Sequence, residues 1–314
     1  MEEEPKRDLR DVYFSVVVPA FNEVGSVREL HHEIANVLSS LGKEYEIIYV
    51  DDGSYDGTNE VLSKLKSMDP RVQLIQFRRN HGKSAAYSRG FLSAKGRVII
   101  TMDADLQDDP GEIPKLLKLL DDGHDLIIGW KQNRLSNEPA KKTVSWAFNR
   151  IVRMFLGIKL HDSNSGFRAM RREVAKSLDL YGDLYRFIPE IAYSKGYKVG
   201  EVGVLHRRRK YGQTKYGPSR FWTGFLDLLT VRFLSRFIQK PLHFFGTIGL
   251  FPLSIGLALE VYVLVKKFSG EAFATHLAAL IIGVMLILVG LQFIATGLIG
   301  EMLSKQSTRD YPDG

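Results

Sequence analysis

Val98-Ile-Ile-Thr-Met-Asp-Ala-Asp-Leu-Gln-Asp-Asp-Pro110 passes from an apolar run straight into a turn crowded with carboxylates. A short apolar run bounded by turn residues reads as a buried strand, here Val98 to Met102. The pattern recurs on both sides. Tyr13 to Val18 runs into Pro19-Ala-Phe-Asn-Glu23, Glu46 to Val50 into Asp51-Asp-Gly-Ser54, Val72 to Phe77 into Arg78-Arg-Asn-His-Gly-Lys83, and Asp125 to Gly129 into Trp130 to Arg134. Amphipathic stretches such as Val27 to Leu41 and Gly111 to Leu120 lie between them, which predicts an α/β fold on a mostly parallel sheet. In such sheets ligands collect beyond the carboxyl ends of the strands, so these polar turns are the candidate site.

The chain has 314 residues, 45% hydrophobic and 25% charged, with a net charge of +7, a composition that excludes disorder and collagen and suits one or two domains with a full core. Cys 0 excludes disulfides, thiolate metal sites and cysteine nucleophiles, so the chemistry rests on oxygen and nitrogen groups. The mean hydropathy of -0.10 averages a charged first part with a last quarter that is apolar almost without break from Leu242 to Val265 and from Leu277 to Ile299. Each run exceeds the roughly 20 residues that cross a bilayer as a helix, which predicts a membrane hairpin. The acidic start, Met1-Glu-Glu-Glu-Pro5, has no apolar core of a signal peptide, so the first part is expected to stay in the cytoplasm. Arg232, Arg236 and Lys240 before the first run, and Lys305 and Arg309 after the second, agree with that orientation; Lys266 and Lys267 in the connection oppose it. Glu260, near the end of the first run, is expected to snorkel toward the interface.

Between these parts, a strand from Val202 to Leu205 leads into His206-Arg-Arg-Arg-Lys-Tyr-Gly-Gln-Thr-Lys215. From Pro218 to Lys240, Phe221, Phe225, Leu229, Phe233 and Phe237 recur every fourth residue opposite Arg232, Arg236 and Lys240, the pattern of a helix lying in a membrane surface or packed on a core.

Asp103, Asp105 and Gln107 alternate after a strand, and such a set of hard oxygens suits Mg²⁺ or Mn²⁺ carrying a diphosphate. Acidic turns also cap helices, and Asp108-Asp109-Pro110 reads that way. Asp51 and Asp52 are either a turn or acceptors for a nucleobase or ribose. Gly82-Lys83-Ser84 looks like the end of a P-loop, but the first glycine of that pattern would fall on Phe77, which rejects it; Lys83 still suits a phosphate. No Gly-x-Gly-x-x-Gly follows a strand, against a dinucleotide-dependent oxidoreductase. Lys131 and Arg134 are either donor-phosphate groups or part of a solvated loop.

Together the turns resemble the GT-A domain of family 2 glycosyltransferases: Val17-Val-Pro-Ala-Phe-Asn-Glu23, Val50-Asp-Asp-Gly-Ser54 and the Asp103-Ala-Asp105 motif. Asp103-Ala-Asp-Leu-Gln107, Asp162-Ser-Asn-Ser-Gly-Phe-Arg168, the basic run ending at Lys215 and the closing Gly297-Leu-Ile-Gly-Glu301 narrow the resemblance to the polyprenyl-phosphate sugar transferases. The resemblance implies a base pocket lined by Pro19, Phe21, Glu23 and Asp52, and the strand-end residues Asp51, Lys83, Lys131 and Arg134 are the further candidate donor contacts. It implies a metal at Asp103, Asp105 and Gln107. Ser165, Arg168, His206, Arg207, Arg209, Gly212, Thr214 and Lys215 would receive the acceptor phosphate, with Asp103, Asp105, Arg209 and Lys215 central to catalysis. Its partners would be a UDP- or GDP-linked sugar, an undecaprenyl or dolichyl phosphate and the membrane, without nucleic acid, and a homo-oligomer would suit so short an anchor. The implied division is a tail (1–12), a catalytic domain (13–217), juxtamembrane helices (218–240), two transmembrane helices (241–300) and a cytoplasmic tail (301–314). The rival readings are a processive polysaccharide synthase, whose Gln-x-x-Arg-Trp motif and extra spans are missing here, and an inactive membrane scaffold.

Overall fold

The computed structural model describes residues 12–131, 160–162, 164–207, 230 and 240–309. They fall into two compact units, Met1–Val231 and Arg232–Gly314. Arg134, Arg209, Gly212, Thr214 and Lys215 lie outside the described residues, as does the amphipathic stretch from 218 to 239 apart from Thr230.

In the first unit, β1 (Phe14–Ala20), β2 (Tyr45–Asp51), β3 (Val72–Gln76), β4 (Val98–Thr101), β5 (Leu126–Lys131), β6 (Arg168–Arg171) and β7 (Val199–Val204) form a sheet in the order β3-β2-β1-β4-β6-β5-β7. All of β2 is buried and β1 nearly so, as expected of central strands covered on both faces. The helices α1 (Val27–Ser40), α2 (Thr58–Met68), α3 (Lys83–Ser93) and α4 (Ile113–Asp121) connect the strands. In α1 the buried Val27, Leu30, Ile34 and Leu38 repeat at helical spacing, and Ile113, Leu116 and Leu120 do the same in α4. Short helices α5 (Arg172–Ser177) and α6 (Ile188–Ser194) follow β6.

The sheet departs from a parallel one at β6, which runs antiparallel between β4 and β5. Thr101, the last residue of β4, faces Arg168, the first of β6, so the loop before β6 arrives at the carboxyl edge beside the Asp103 turn. Strand β1 pairs with β2 on one side and β4 on the other. The order in which strands are laid down therefore reverses between β1 and β4, which run parallel, and this crevice is the ligand position of open α/β sheets.

The second unit is a helical hairpin, α7 (Pro241–Phe268) and α8 (Leu277–Arg309). Both helices are long and apolar enough to cross a membrane, with mean hydropathies of 2.1 and 2.7 over their most apolar parts. Their contact is made by glycines spaced seven apart: a Cβ on Gly249 would stand 2.6 Å from the Gly290 carbonyl oxygen, and one on Gly256 2.6 Å from that of Gly283. Glu301 Oε2 accepts the Leu242 amide at 3.2 Å and closes the open end. Glu260 is half-buried: its Oε1 is buried against Gly283, with no hydrogen-bond partner among the described residues.

Candidate active site

The turn after β4 is held in a conformation that only its surroundings explain. Leu106 has φ +61, a left-handed backbone costing a branched residue on the order of 1–3 kcal/mol. Its side chain is 3% exposed and belongs to the main core, which pins the strained residue. Asp105, itself buried, accepts the Gln107 amide at 3.1 Å on Oδ1 and so closes the turn.

Asp103 stands against the loop before β6. The Gly166 carbonyl accepts from Thr101 Oγ1 at 2.7 Å, and a Cβ on Gly166 would lie 2.7 Å from Asp103 Cγ and 2.8 Å from its Oδ2. A methyl group here can be accepted only if the Asp103 carboxylate moves aside, so Gly166→Ala is expected to displace that carboxylate and lower activity by about 10²-fold, the usual cost of an ångström of misplacement. The check is initial rate beside thermal melting; an unimpaired rate would show that Asp103 has room.

Lys83, at the start of α3, reaches Asp103 Oδ1 at 2.5 Å and lies between the Tyr87 and Tyr185 rings, 5.7 and 5.3 Å from their centroids. Burial would raise the Asp103 carboxyl, but the Lys83 and Lys131 ammonium groups together hold it below its usual range. Tyr87 was recognisable only as the helical neighbour four residues after Lys83, and Tyr185 gave no sequence signal.

Further round the edge, Asp51 and Asp52 part company. Asp52 accepts the His81 and Gly82 amides at 2.7 and 2.9 Å, fastening the loop after β3, and burial still raises its carboxyl. Gly53, with φ +75, lets that loop cross: a Cβ there would be 2.5 Å from the Arg79 carbonyl carbon. Asp51 is fully buried; its Oδ1 accepts the Ser54 amide at 3.0 Å, whereas Oδ2 has no hydrogen-bond partner among the described residues. An unmatched buried carboxylate oxygen is costly unless a donor arrives, which fits an imide or amide N–H of a base. Phe21 packs edge-on to the exposed Tyr55 at 6.0 Å, and the Glu23 amide donates to Thr58 Oγ1 at 2.8 Å. Pro19 lies within β1, beside Val50.

Other expected phosphate ligands are engaged within the protein. Lys131 is 8% exposed and its Nζ lies 2.9 Å from Asp108 Oδ1, with His206 Nδ1 3.7 Å from the same oxygen. Burial would raise the Asp108 carboxyl, but Lys131 and His206 hold it far below its ordinary value. Arg168 is wholly buried and only partly engaged: Nη2 donates to the Tyr185 carbonyl at 3.2 Å, while Nε and Nη1 have no hydrogen-bond partner among the described residues. Ser165, also buried, receives the Phe167 amide at 3.4 Å. Arg207 bridges Glu33 and Asp109.

Among the described residues no three His, Cys, Asp or Glu side chains form a metal cage. Asp103 and Asp105 nevertheless fit a hard divalent ion, which commonly takes one or two carboxylates and completes its shell with substrate phosphate and water.

A mostly parallel sheet with an Asp-x-Asp turn in the β1/β4 crevice defines the GT-A class of sugar-transferring fold. Solved structures agree: glucosyl-3-phosphoglycerate synthase from Mycobacterium tuberculosis, crystallised with Mn²⁺, UDP-glucose and phosphoglyceric acid, matches with a TM-score of 0.56 at 18% identity over 73% of this chain and 85% of that one. Mannosyl-3-phosphoglycerate synthase from Rubrobacter xylanophilus gives 0.56 at 19% identity, over 73% and 75%. The chain belongs to Glycosyl transferase family 2, which matches residues 15–179, and it is a glycosyltransferase. Residues 231–313 match a domain of unknown function. Over nearly its full length the chain is similar to the dodecaprenyl-phosphate galacturonate synthase of Rhizobium johnstonii, 36% identical over 98% of this chain and 93% of the relative. It is also 32% identical to the undecaprenyl-phosphate 4-deoxy-4-formamido-L-arabinose transferase of Edwardsiella ictaluri, over 95% and 91%.

Proposed function

We propose that this protein is a membrane-anchored, inverting transferase that moves one sugar from a UDP- or GDP-sugar to a polyprenyl phosphate at the cytoplasmic face. The observation that carries the reading is the contact of Asp103 with Lys83 on the turn that also holds Asp105, at the β1/β4 crevice, on a chain that also holds an apolar hairpin. The polyprenyl phosphates acted on by its full-length relatives support the acceptor class.

A phosphate monoester has its second pKa near 6, so at neutral pH it is largely a dianion and attacks without a general base. Its oxygen forms a bond to the anomeric carbon on the face opposite the diphosphate. The bond to the diphosphate breaks with its electron pair, the nucleoside diphosphate leaves, and the configuration inverts. Asp103 and Asp105 would hold Mg²⁺ or Mn²⁺, which when bound neutralises the diphosphate. Asp51 would orient the base. Lys83 would turn from Asp103 to the leaving diphosphate, and Arg209 and Lys215 would hold the acceptor head against repulsion from the donor.

The test is single-turnover transfer of label from UDP- and GDP-sugars with Mn²⁺ to a polyprenyl phosphate, preceded by thermal-shift screening of the nucleotides. A labelled lipid with inverted anomeric linkage is expected. Nucleotide binding without any lipid product across the sugar panel would overturn the acceptor reading.

A further inference from the structure

Arg207 opens the basic motif, yet its guanidinium is turned back onto the protein. Nη1 donates to both Glu33 oxygens at 2.8 and 2.7 Å, and Nη2 lies 2.9 Å from Asp109 Oδ1. Two carboxylates around one cation leave the spot negative, the wrong sign for a phosphate dianion. The Arg207 amide donates to the Gln107 carbonyl at 2.8 Å, and His206 forms an antiparallel bridge with Asp108. Beneath that bridge lies the buried Asp108–Lys131 pair from the end of β5. Three separate parts of the chain, α1, the 107–109 turn and the segment leaving β7, thus converge on one arginine, two residues before Arg209 in sequence.

We propose that Glu33 and Asp109 hold Arg207 as a strut that sets the beginning of the basic motif against the Asp103–Gln107 turn. Arg207 is then a positioning residue for the acceptor side of the reaction and not a phosphate ligand, an inference that rests on the acceptor reading above. Such a strut fixes where the basic motif begins relative to the Asp103–Gln107 turn. Glu33 is its most separable member, since it lies on α1 and its side chain is 28% exposed.

The experiment uses the full-length protein with Glu33→Gln, Glu33→Ala and Glu33→Asp. The first two are expected to raise KM for a polyprenyl phosphate about five-fold, the scale of losing a well-formed, partly exposed ion pair. Affinity for UDP and GDP by calorimetry should stay unchanged, and Glu33→Asp should recover part of the loss. Hydrogen exchange at the Arg207 amide, which needs no acceptor, should quicken in Glu33→Ala. Wild-type KM and exchange in Glu33→Ala, or equal losses toward nucleotide and lipid, would overturn the strut. If the wild-type enzyme transfers nothing to a polyprenyl phosphate, the acceptor reading fails, while quickened exchange would still sustain the strut itself.

Discussion

Asp105→Ala is expected to lower transfer by at least about 10³-fold, the scale of removing a preorganised group that stabilises developing charge. The loss should be chemical, because Asp105 sits in a turn and not among the packed apolar side chains. The substitution does remove the acceptor for the Gln107 amide, which could loosen the turn. Asp105→Asn separates the effects: its amide oxygen keeps that hydrogen bond and its volume fills the same space, but the anionic ligand is gone. Both variants should therefore lose activity and Mn²⁺ binding measured by electron paramagnetic resonance, with only the alanine variant melting earlier. Activity that survives EDTA, or wild-type rates in Asp105→Asn, would defeat the metal assignment.

Arg209→Ala is expected to lower kcat/KM for the lipid phosphate by about 10²–10³-fold, in line with removal of a charge-assisted bidentate contact. Because Arg207 is taken up by Glu33 and Asp109, the work of holding the acceptor dianion falls on fewer cations than the basic run advertises. Arg209→Lys keeps the charge and loses the planar fork, so a raised KM and lowered kcat are expected, less severe than with alanine. Calorimetry with UDP and GDP decides whether the motif belongs to the acceptor: a large loss of nucleotide affinity with normal lipid binding would assign it to the donor.

Most of the sheet was legible because its strands are apolar runs ending in polar turns, and Val98 to Asp105 carries both signals at once. Strand β6 was not, since Arg168-Ala-Met-Arg171 is flanked by charge and shows no apolar run. Charged residues carry an equally ambiguous signal about the site. A buried arginine or lysine that is paired inside the protein has the same one-letter pattern as one waiting for a phosphate, and hydrophobic periodicity is silent about pairing. Lys131 and Arg207 are expected ligands that meet Asp108, and Glu33 with Asp109, in the structure, while Arg168 reaches the Tyr185 carbonyl through Nη2 and leaves Nε and Nη1 without a hydrogen-bond partner among the described residues. The partner carboxylates lie far away in sequence, and only the fold brings them in.

The hairpin glycines have a consequence for the bilayer. Gly249 faces Gly290, and Gly256 faces Gly283, so the seven-residue spacing runs in antiparallel register along both helices. A seven-residue repeat keeps one stripe facing its partner only if the helices wind gently left-handed, and small residues on that stripe bring the backbones together. The pair therefore claims less lateral area than two helices separated by leucines. Its large side chains, Phe251, Leu257, Val261 and Leu264 on α7 and Met285, Leu288 and Leu291 on α8, are all exposed. Lipid chains thus meet a single slender, greasy rod in which backbone meets backbone at the glycines and side chains such as Leu253, Ile287 and Phe293 fill in beside them.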